Sequence, residues 1–376
     1  MMKKVLLVVP LSTLNWGEKN AGGVDSVCQV IIKYLGDREK TNLYYRILAI
    51  DPFSCVSYSG DVLKLSPYVE VVLCPKNESI FGFKMPSLIT NLFRVRRQVR
   101  DFQPDIVHVH EAQWLIAISK KIRRIATIHS YKKICRKSVS LINDIVYERI
   151  IPRVSDIFTD AYTCVGWDLS VALECDVQKP ISLIGNPVDE AYFTPGEDSK
   201  CEEVRLVTCA LISRRKRIDR AIELLSVLKK SGWKVSLTVI GPNVDPDYFS
   251  QLTQQLKSSG LLHDVIFTGA LSQSEIIERY RESSVGVFYS EQETFGMAPL
   301  EMLAAGLPLL TTPVGVLGYL RHDFEKVGVK FVDGKDLSQQ VQKLTSLLGF
   351  NDNQAAVYLR NKFSVSGICQ EYESLY

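Results

Sequence analysis

The stretch SEQETFGMAPLEMLAAGLPLLTT, Ser290–Thr312, decides the fold. It follows an apolar run, Val285-Gly286-Val287-Phe288-Tyr289, that reads as a buried parallel strand. A short polar loop, Ser290 to Thr294, then leads into Phe295-Gly296-Met297. From Met297 to Ala305 strong helix formers dominate. Gly306 and Pro308 stop that helix, and Pro308 to Thr312 starts another apolar strand. The unit is therefore strand, loop, helix, strand, with a glycine where loop becomes helix. Free amides at a helix start, together with the positive end of its dipole, favour an anion such as phosphate. Glu293 lies in the loop and Glu301 well inside the helix, too far along the chain to act as one acid pair. Carboxylates accept hydrogen bonds from sugar hydroxyls, so a phosphate site flanked by two such acids points to a nucleotide sugar.

The same kind of unit opens the chain. KKVLLVVP, Lys3 to Pro10, reads as a buried strand, and Ala21-Gly22-Gly23 leads into an amphipathic helix over Val24 to Leu35. The dinucleotide fingerprint G-x-G-x-x-G is absent there. Further strands are expected at Tyr45–Ile50, Val69–Leu73, Asp105–His110, Arg124–His129, Ile157–Cys164 and Pro180–Ile184. Helices are expected between most of them, among these Ser87–Phe102 and Ser138–Ile151. Such alternation predicts a doubly wound, mostly parallel sheet with ligands beyond the carboxyl ends of its strands. Three of the five histidines, His108, His110 and His129, fall at such ends. His108-x-His110 has metal-ligand spacing but lacks a nearby third ligand, so no metal is expected. The second half opens with a strand at Val204–Leu211, then Ser213-Arg214-Arg215-Lys216-Arg217 ahead of a helix over Ile218–Lys230. Four bases between strand and helix suit a diphosphate; the bland alternative is a solvated cluster. Further strands are expected at Lys234–Ile240 and Val265–Leu271. Asp245-Pro246-Asp247 has the form D-x-D but reads as turn chemistry. Helices are expected over Lys335–Leu348, Asn353–Phe363 and Val365–Tyr376.

A chain of 376 residues favours two domains, and 46% hydrophobic with 23% charged residues suits a globular protein. No run of eighteen apolar residues suggests a membrane span, and Met1 to Pro10 is too short for a signal peptide. Nine scattered cysteines without a CxxC pair suit a reducing, cytoplasmic setting. Net charge is only +3, but Lys84 to Lys137 holds thirteen Lys and Arg against Asp101, Asp105 and Glu111. In this tract Arg94, Arg96, Arg97 and Arg100 mix with Leu92, Phe93, Val95, Trp114 and Ile116. It reads as a surface for anionic lipid or a phosphorylated lipid acceptor, or else as ordinary solvated helix faces. No motif supports nucleic acid.

Glu293, Phe295-Gly296, Glu301 and Ala304-Ala305-Gly306-Leu307-Pro308 resemble the signature of the retaining GT-B glycosyltransferases, the "glycosyl transferases group 1" or family 4-like enzymes. That resemblance implies two Rossmann-like domains facing across a cleft, with a last helix crossing back. The expected domains are 1–187 for the acceptor, a linker at 188–203, 204–355 for the nucleotide sugar, and a returning segment at 356–376. It implies that Glu301 binds ribose hydroxyls, Glu293 binds hexose hydroxyls, and the amides of Phe295, Gly296 and Met297 meet sugar or phosphate. Lys216, with Arg214 or Arg215, would hold the diphosphate without a metal or other cofactor. Gly23 would face the donor, His129 the transferred sugar, and Leu271 the nucleobase. The chain departs from the pattern at Ala210-Leu211, where Gly-Arg is usual, and at Val316-Leu317-Gly318, which lacks a second glycine. The expected activity is metal-independent transfer of a hexosyl-type sugar to a hydroxyl of a glycan or lipid-linked oligosaccharide in bacterial surface polysaccharide synthesis. The expected setting is the cytoplasm, with peripheral contact to an anionic membrane. Competing readings are a GT-B nucleotide-sugar epimerase and a catalytically decayed partner protein.

Overall fold

The computed structural model describes residues 2–77, 79–80, 83–84, 86–131, 145–193, 203–333, 335–349 and 353–376. They form two compact units, Met1–Pro187 together with Val365–Tyr376, and Val188–Ser364. The expected helix at Ser138–Ile151 lies outside the described residues up to 144, and so does the expected linker from 194 to 202.

Unit 1 is built on strands β1 (Lys3–Pro10), β2 (Leu43–Asp51), β3 (Leu63–Ser66), β4 (Val69–Pro75), β5 (Ile106–Val109), β6 (Arg123–Ile128), β7 (Ala161–Cys164) and β8 (Ile181–Leu183). Their order is β8-β7-β6-β5-β1-β2-β4-β3, parallel throughout except for the β3–β4 edge pair. The apolar runs have the physical reason expected of a parallel sheet: Val5, Leu6 and Val8 of β1, like Val107 and Val109 of β5, are sealed from solvent on both faces. Its helices include α1 (Gly23–Asp37), α2 (Ser87–Phe102), α3 (Ile151–Ile157) and α4 (Trp167–Glu174). The strand expected from Ile157 begins only at Ala161. Residues 151–157 are helical instead, continuing a π-helical turn over Val146–Ile150, with Pro152 just past the junction.

Unit 2 contains β9 (Val204–Cys209), β10 (Val235–Ile240), β11 (Val265–Gly269), β12 (Val285–Phe288), β13 (Leu309–Thr311) and β14 (Val329–Phe331), in the order β11-β10-β9-β12-β13-β14. Its helices include α5 (Ile218–Lys230), α6 (Pro246–Ser259), α7 (Gln273–Arg281), α8 (Met297–Ala304), α9 (Gly315–Tyr319), α10 (Arg321–Lys326), α11 (Leu337–Leu347) and α12 (Gln354–Phe363). Leu225, Leu237, Val239, Val287 and Leu310 belong to one core. Gly286 lets α8 lie close to β12, because a side-chain carbon there would come 2.7 Å from the Met302 sulfur. Asp245 accepts a hydrogen bond from the Tyr248 N–H at 3.0 Å and caps α6, which accounts for the D-x-D string as helix initiation.

The final helix, α13 (Val365–Glu373), belongs to unit 1. There Glu373 pairs with Arg38 and accepts the Tyr45 hydroxyl at 2.8 Å. Each sheet has one point where strand order reverses, between β5 and β1 in unit 1 and between β9 and β12 in unit 2. Parallel sheets bind ligands beyond their strand ends at such points.

Candidate active site

In unit 2, the loops leaving β9 and β12 meet at the reversal point. The first closes as a 3-10 turn over Arg214–Lys216, and Arg217 beyond it is left-handed with φ of 50°. The backbone stitches the two loops together: the Glu291 N–H donates to the Arg215 carbonyl at 2.9 Å. The Thr312 hydroxyl donates to the Ser290 carbonyl at 2.6 Å, tying in the chain beyond β13. Lys216 is thereby brought into an ion pair with Glu293, the two side chains only 11% and 12% exposed. Charges so far from water persist because each neutralises the other, and removing one would leave its partner buried and unpaired.

The helix α8 starts immediately after this loop. Gly296 takes φ of 96°, and no side chain caps the helix, so its first amides have no acceptor within the helix. The Phe295 carbonyl accepts the Val316 N–H at 2.9 Å. Gly315 makes that approach possible, since a side-chain carbon there would stand 2.3 Å from the same carbonyl oxygen. Glu301 is buried further along α8. Burial, then the charge of Asp189, raises its carboxyl to about 7, while a hydrogen bond from Tyr192 acts in the opposite direction. Asp189 also accepts from Gln273 at 2.9 Å and from the Ala191 N–H at 3.0 Å. A buried carboxyl already accepting from a tyrosine hydroxyl is equipped to accept further hydroxyls, as a ribose presents them.

Arg214 does not join Lys216 and Glu293. Its guanidinium donates to Gln251 at 2.9 Å, lies 3.7 Å from Asp245 and stacks over Tyr248, drawn to α6 by a charge and a ring. Arg215 is half-buried, with its carbonyl used in joining the loops. Leu271 is half-buried just before Ser272, the N-cap of α7. Leu211, which stands where the resemblance places an arginine, is 42% exposed. The sequence reading missed Asp189 and Tyr192, which lie more than a hundred positions from Glu301 in a segment that reads only as a turn-rich connection.

In unit 1, a cavity of about 640 Å³ lies along the carboxyl edge of the sheet, lined among others by Gly22, Gly23, His110, Glu111 and His129. Gly23 opens α1, with clear space where a side chain would project. Asp25 fixes the preceding loop by accepting the Ser12 and Ala21 N–H groups, each at 2.7 Å. The Nε2 of His129 lies 3.0 Å from the Nδ1 of His110, which is 3.4 Å from the Cys28 sulfur. Burial lowers His129 to about 4, and burial with the neighbouring rings holds His110 well below the usual range. Both are therefore neutral near pH 7, and one nitrogen must donate while the other accepts. His108 turns to different partners, the Tyr376 hydroxyl at 2.6 Å and the Thr127 hydroxyl at 2.7 Å. Among the described residues no three His, Cys, Asp or Glu side chains converge as a metal site requires.

The basic tract needs correction. Arg94 is buried, donating to the Pro75 carbonyl at 2.5 Å and to Asn91 at 2.8 Å, so it is not part of a surface. Val95 and Trp114 are also buried, and so is Arg124, which pairs with the more exposed Asp160. Arg96, Arg97 and Arg100 are exposed, the latter two beside Asp101. They share the outer side of α2 with Phe93, 67% exposed, and Ile89, 42% exposed. Lys132, Lys133, Arg136 and Lys137 lie outside the described residues.

Comparison with known proteins agrees with this two-unit α/β fold. The family model "Glycosyl transferases group 1" matches residues 197–356, and "Glycosyltransferase Family 4" matches residues 51–192. The chain is 27% identical over 256 residues to mannosylfructose-phosphate synthase of Agrobacterium fabrum, covering 61% of this chain and 55% of that protein. It is 25% identical over 284 residues to the sulfoquinovosyl transferase SQD2 of Arabidopsis thaliana, covering 70% and 54%. The chain thus spans about half the length of these curated relatives. Among solved structures, sucrose-phosphate synthase from Thermosynechococcus elongatus superposes with a TM-score of 0.77 at 14% identity, over 100% of this chain and 98% of the other. Anabaena HepE in complex with UDP and glucose gives 0.69 at 16% identity, over 100% and 99%.

Proposed function

The chain belongs to the group 1 and family 4 glycosyltransferases and has their GT-B architecture, and from that premise we propose that it transfers a sugar from a nucleotide-diphosphate donor to an acceptor hydroxyl with retention at the anomeric carbon. The observation that carries this reading is the Lys216–Glu293 pair at the reversal point of unit 2, with buried Glu301 on the helix that follows. As the sugar–phosphate bond breaks, positive charge grows on the sugar ring and negative charge on the departing phosphate. Lys216 is a cation available to the phosphate, and removing such a preorganised group costs about 100-fold or more in rate. Glu293 holds Lys216 until donor arrives and then accepts sugar hydroxyls. Glu301 accepts the ribose hydroxyls, and the first amides of α8 meet phosphate or sugar oxygens. No metal is required for this division of labour.

We assign the acceptor to the unit 1 cavity, where neutral His129 and His110 can orient a hydroxyl; in the reaction, the departing phosphate takes the proton of the attacking hydroxyl. A hexosyl donor and a glycan or lipid-linked acceptor, as in surface polysaccharide synthesis, are the substrates we assign. The outer side of α2, with Ile89 and Phe93 beside Arg96 and Arg100, supports contact with an anionic membrane surface. Among the described residues no helix is long and apolar enough to cross a membrane.

The test is a thermal-shift series with UDP-, GDP- and ADP-sugars on wild type, Lys216→Ala and Glu301→Ala. One nucleotide class at a hundred times its dissociation constant should stabilise wild type by about 2.7 kcal/mol and lose most of that effect in both variants. Absence of both stabilisation and calorimetric binding for every donor would remove the donor site and with it the proposal.

A further inference from the structure

The unit 1 cavity is longer than a single sugar hydroxyl needs, and its two ends differ. Strand order sets the sequence of its lining: Tyr162 on β7, Ile128 on β6, His110 after β5, Pro10 on β1, Ile50 on β2, and Lys76 after β4. Neighbouring strands are about 4.8 Å apart, so this lining runs on the order of 20 Å across the sheet. Around His110 and His129 it is polar. Towards β7 it becomes apolar, walled by Ile128, Ile151, Pro152, Leu173 and Val177. The hydroxyls of the two tyrosines there are already committed, Tyr131 to Asp176 at 2.9 Å and Tyr162 to Asp156 at 3.1 Å.

Within this apolar end lies one polar atom without a partner. Ser155, on α3, is among the residues lining the cavity and is 1% exposed, and its hydroxyl has no hydrogen-bond partner among the described residues. A buried hydroxyl without a partner is destabilising, and such atoms are rare in folded proteins. A ligand that fills the apolar space and offers one hydrogen-bonding atom would resolve both features.

We infer that the β6–β7 end of the cavity is a subsite for an apolar aglycone on the acceptor, bearing a polar atom that Ser155 satisfies. The acceptor's sugar then lies at His110 and His129, continuous with the aglycone in the same cavity. This inference rests on the transferase reading and narrows the acceptor to glycosides with an apolar substituent, as opposed to free sugars or wholly polar oligosaccharides. The chemistry favours a flat or compact substituent carrying an ether, carbonyl, nitro or hydroxyl oxygen.

Calorimetric binding of 4-nitrophenyl and methyl glycosides of glucose, galactose and mannose to the full chain tests it. For the sugar that binds, the aryl glycoside should bind about tenfold tighter than the methyl glycoside, as expected for partial burial of the ring. Val177→Trp, at a half-buried position on the wall, should abolish that preference while leaving methyl glycoside binding unchanged. Ser155→Ala should weaken the aryl glycoside about fivefold. Equal affinity for aryl and methyl glycosides, or an aryl preference that survives Val177→Trp, overturns the inference. Donor-induced thermal stabilisation is read in the same preparations. Its presence shows that the transferase reading stands, and an intact calorimetric transition of unit 1 shows that the unit carrying each substitution is folded, so failure of the aryl preference alone falls on the subsite.

Discussion

Burial on α8 beside Asp189 keeps Glu301 protonated to a pH at which an ordinary glutamate is ionised. The folded value, about 7, lies above the unfolded value, so this group's contribution to stability is complete below about pH 4.5 and is lost as pH rises through about 7. Donor binding should have the opposite sign, because a carboxylate accepts two ribose hydroxyls better than a carboxylic acid does. Donor affinity should therefore rise about tenfold between pH 6 and pH 8, and Glu301→Gln should make the profile flat at low affinity. Calorimetric titration across that range decides the matter; a wild-type profile as flat as the variant's would count against Glu301 as the hydroxyl acceptor. At this scale the two acids were legible from their place in a strand-loop-helix string. The partner of Glu293 was not, because Lys216 lies 77 positions earlier and only the joined loops bring it there.

Among the elements, α2 shows how a helix can mislead when read as a string of charges. Arg94 points inward because the Pro75 carbonyl and Asn91 satisfy it there, and Val95 beside it is in the core. The exposed positions Ile89, Phe93, Arg96 and Arg100 recur at helical spacing and form one narrow face. A basic residue near an anionic surface contributes about 1 kcal/mol. The double variant Arg96→Glu with Arg100→Glu should therefore reduce co-sedimentation with phosphatidylglycerol vesicles at least about tenfold, and Phe93→Asp should do so by removing the inserting ring. Vesicle association unaffected by either change would rule out this face as the membrane contact. Helical period was readable in the sequence, whereas which arginine turned inward depended on groups from β4 and the preceding turn. The loop from Pro313 to Gly315 makes the same point. Its glycine was visible, but its role in letting the chain approach the Phe295 carbonyl exists only once β13 is paired beside β12.

For the molecule as a whole, the path of the last helix matters most. Although α13 follows unit 2 in the chain, its Ile368, Cys369 and Tyr372 are buried in unit 1. Tyr376 there bonds His108 through its hydroxyl and receives Lys3 on its carbonyl at 2.9 Å. Loss of one large buried aromatic costs about 3–5 kcal/mol, a large share of a domain's net stability. A chain ending at Ser364 should therefore lose the cooperative unfolding transition of unit 1 while unit 2 keeps its transition and its donor-induced shift. Calorimetric scans with and without donor separate the two. Survival of both transitions would show that α13 is dispensable to unit 1.

The local physics of the sequence was sufficient for the alternation of apolar strands and amphipathic helices, the two-unit α/β class, and the loop-to-helix unit at Ser290–Thr312. Side-chain period and the conformational demands of glycine and proline act over a few residues, so a linear reading reaches them. Tertiary structure alone decided that Lys216 pairs with Glu293, that Asp189 and Tyr192 stand beside Glu301, and that the Ser155 hydroxyl is left unpaired in an apolar pocket. Those outcomes depend on strand order and on which loops meet where that order reverses, and nothing in the spacing of the residues along the chain encodes them.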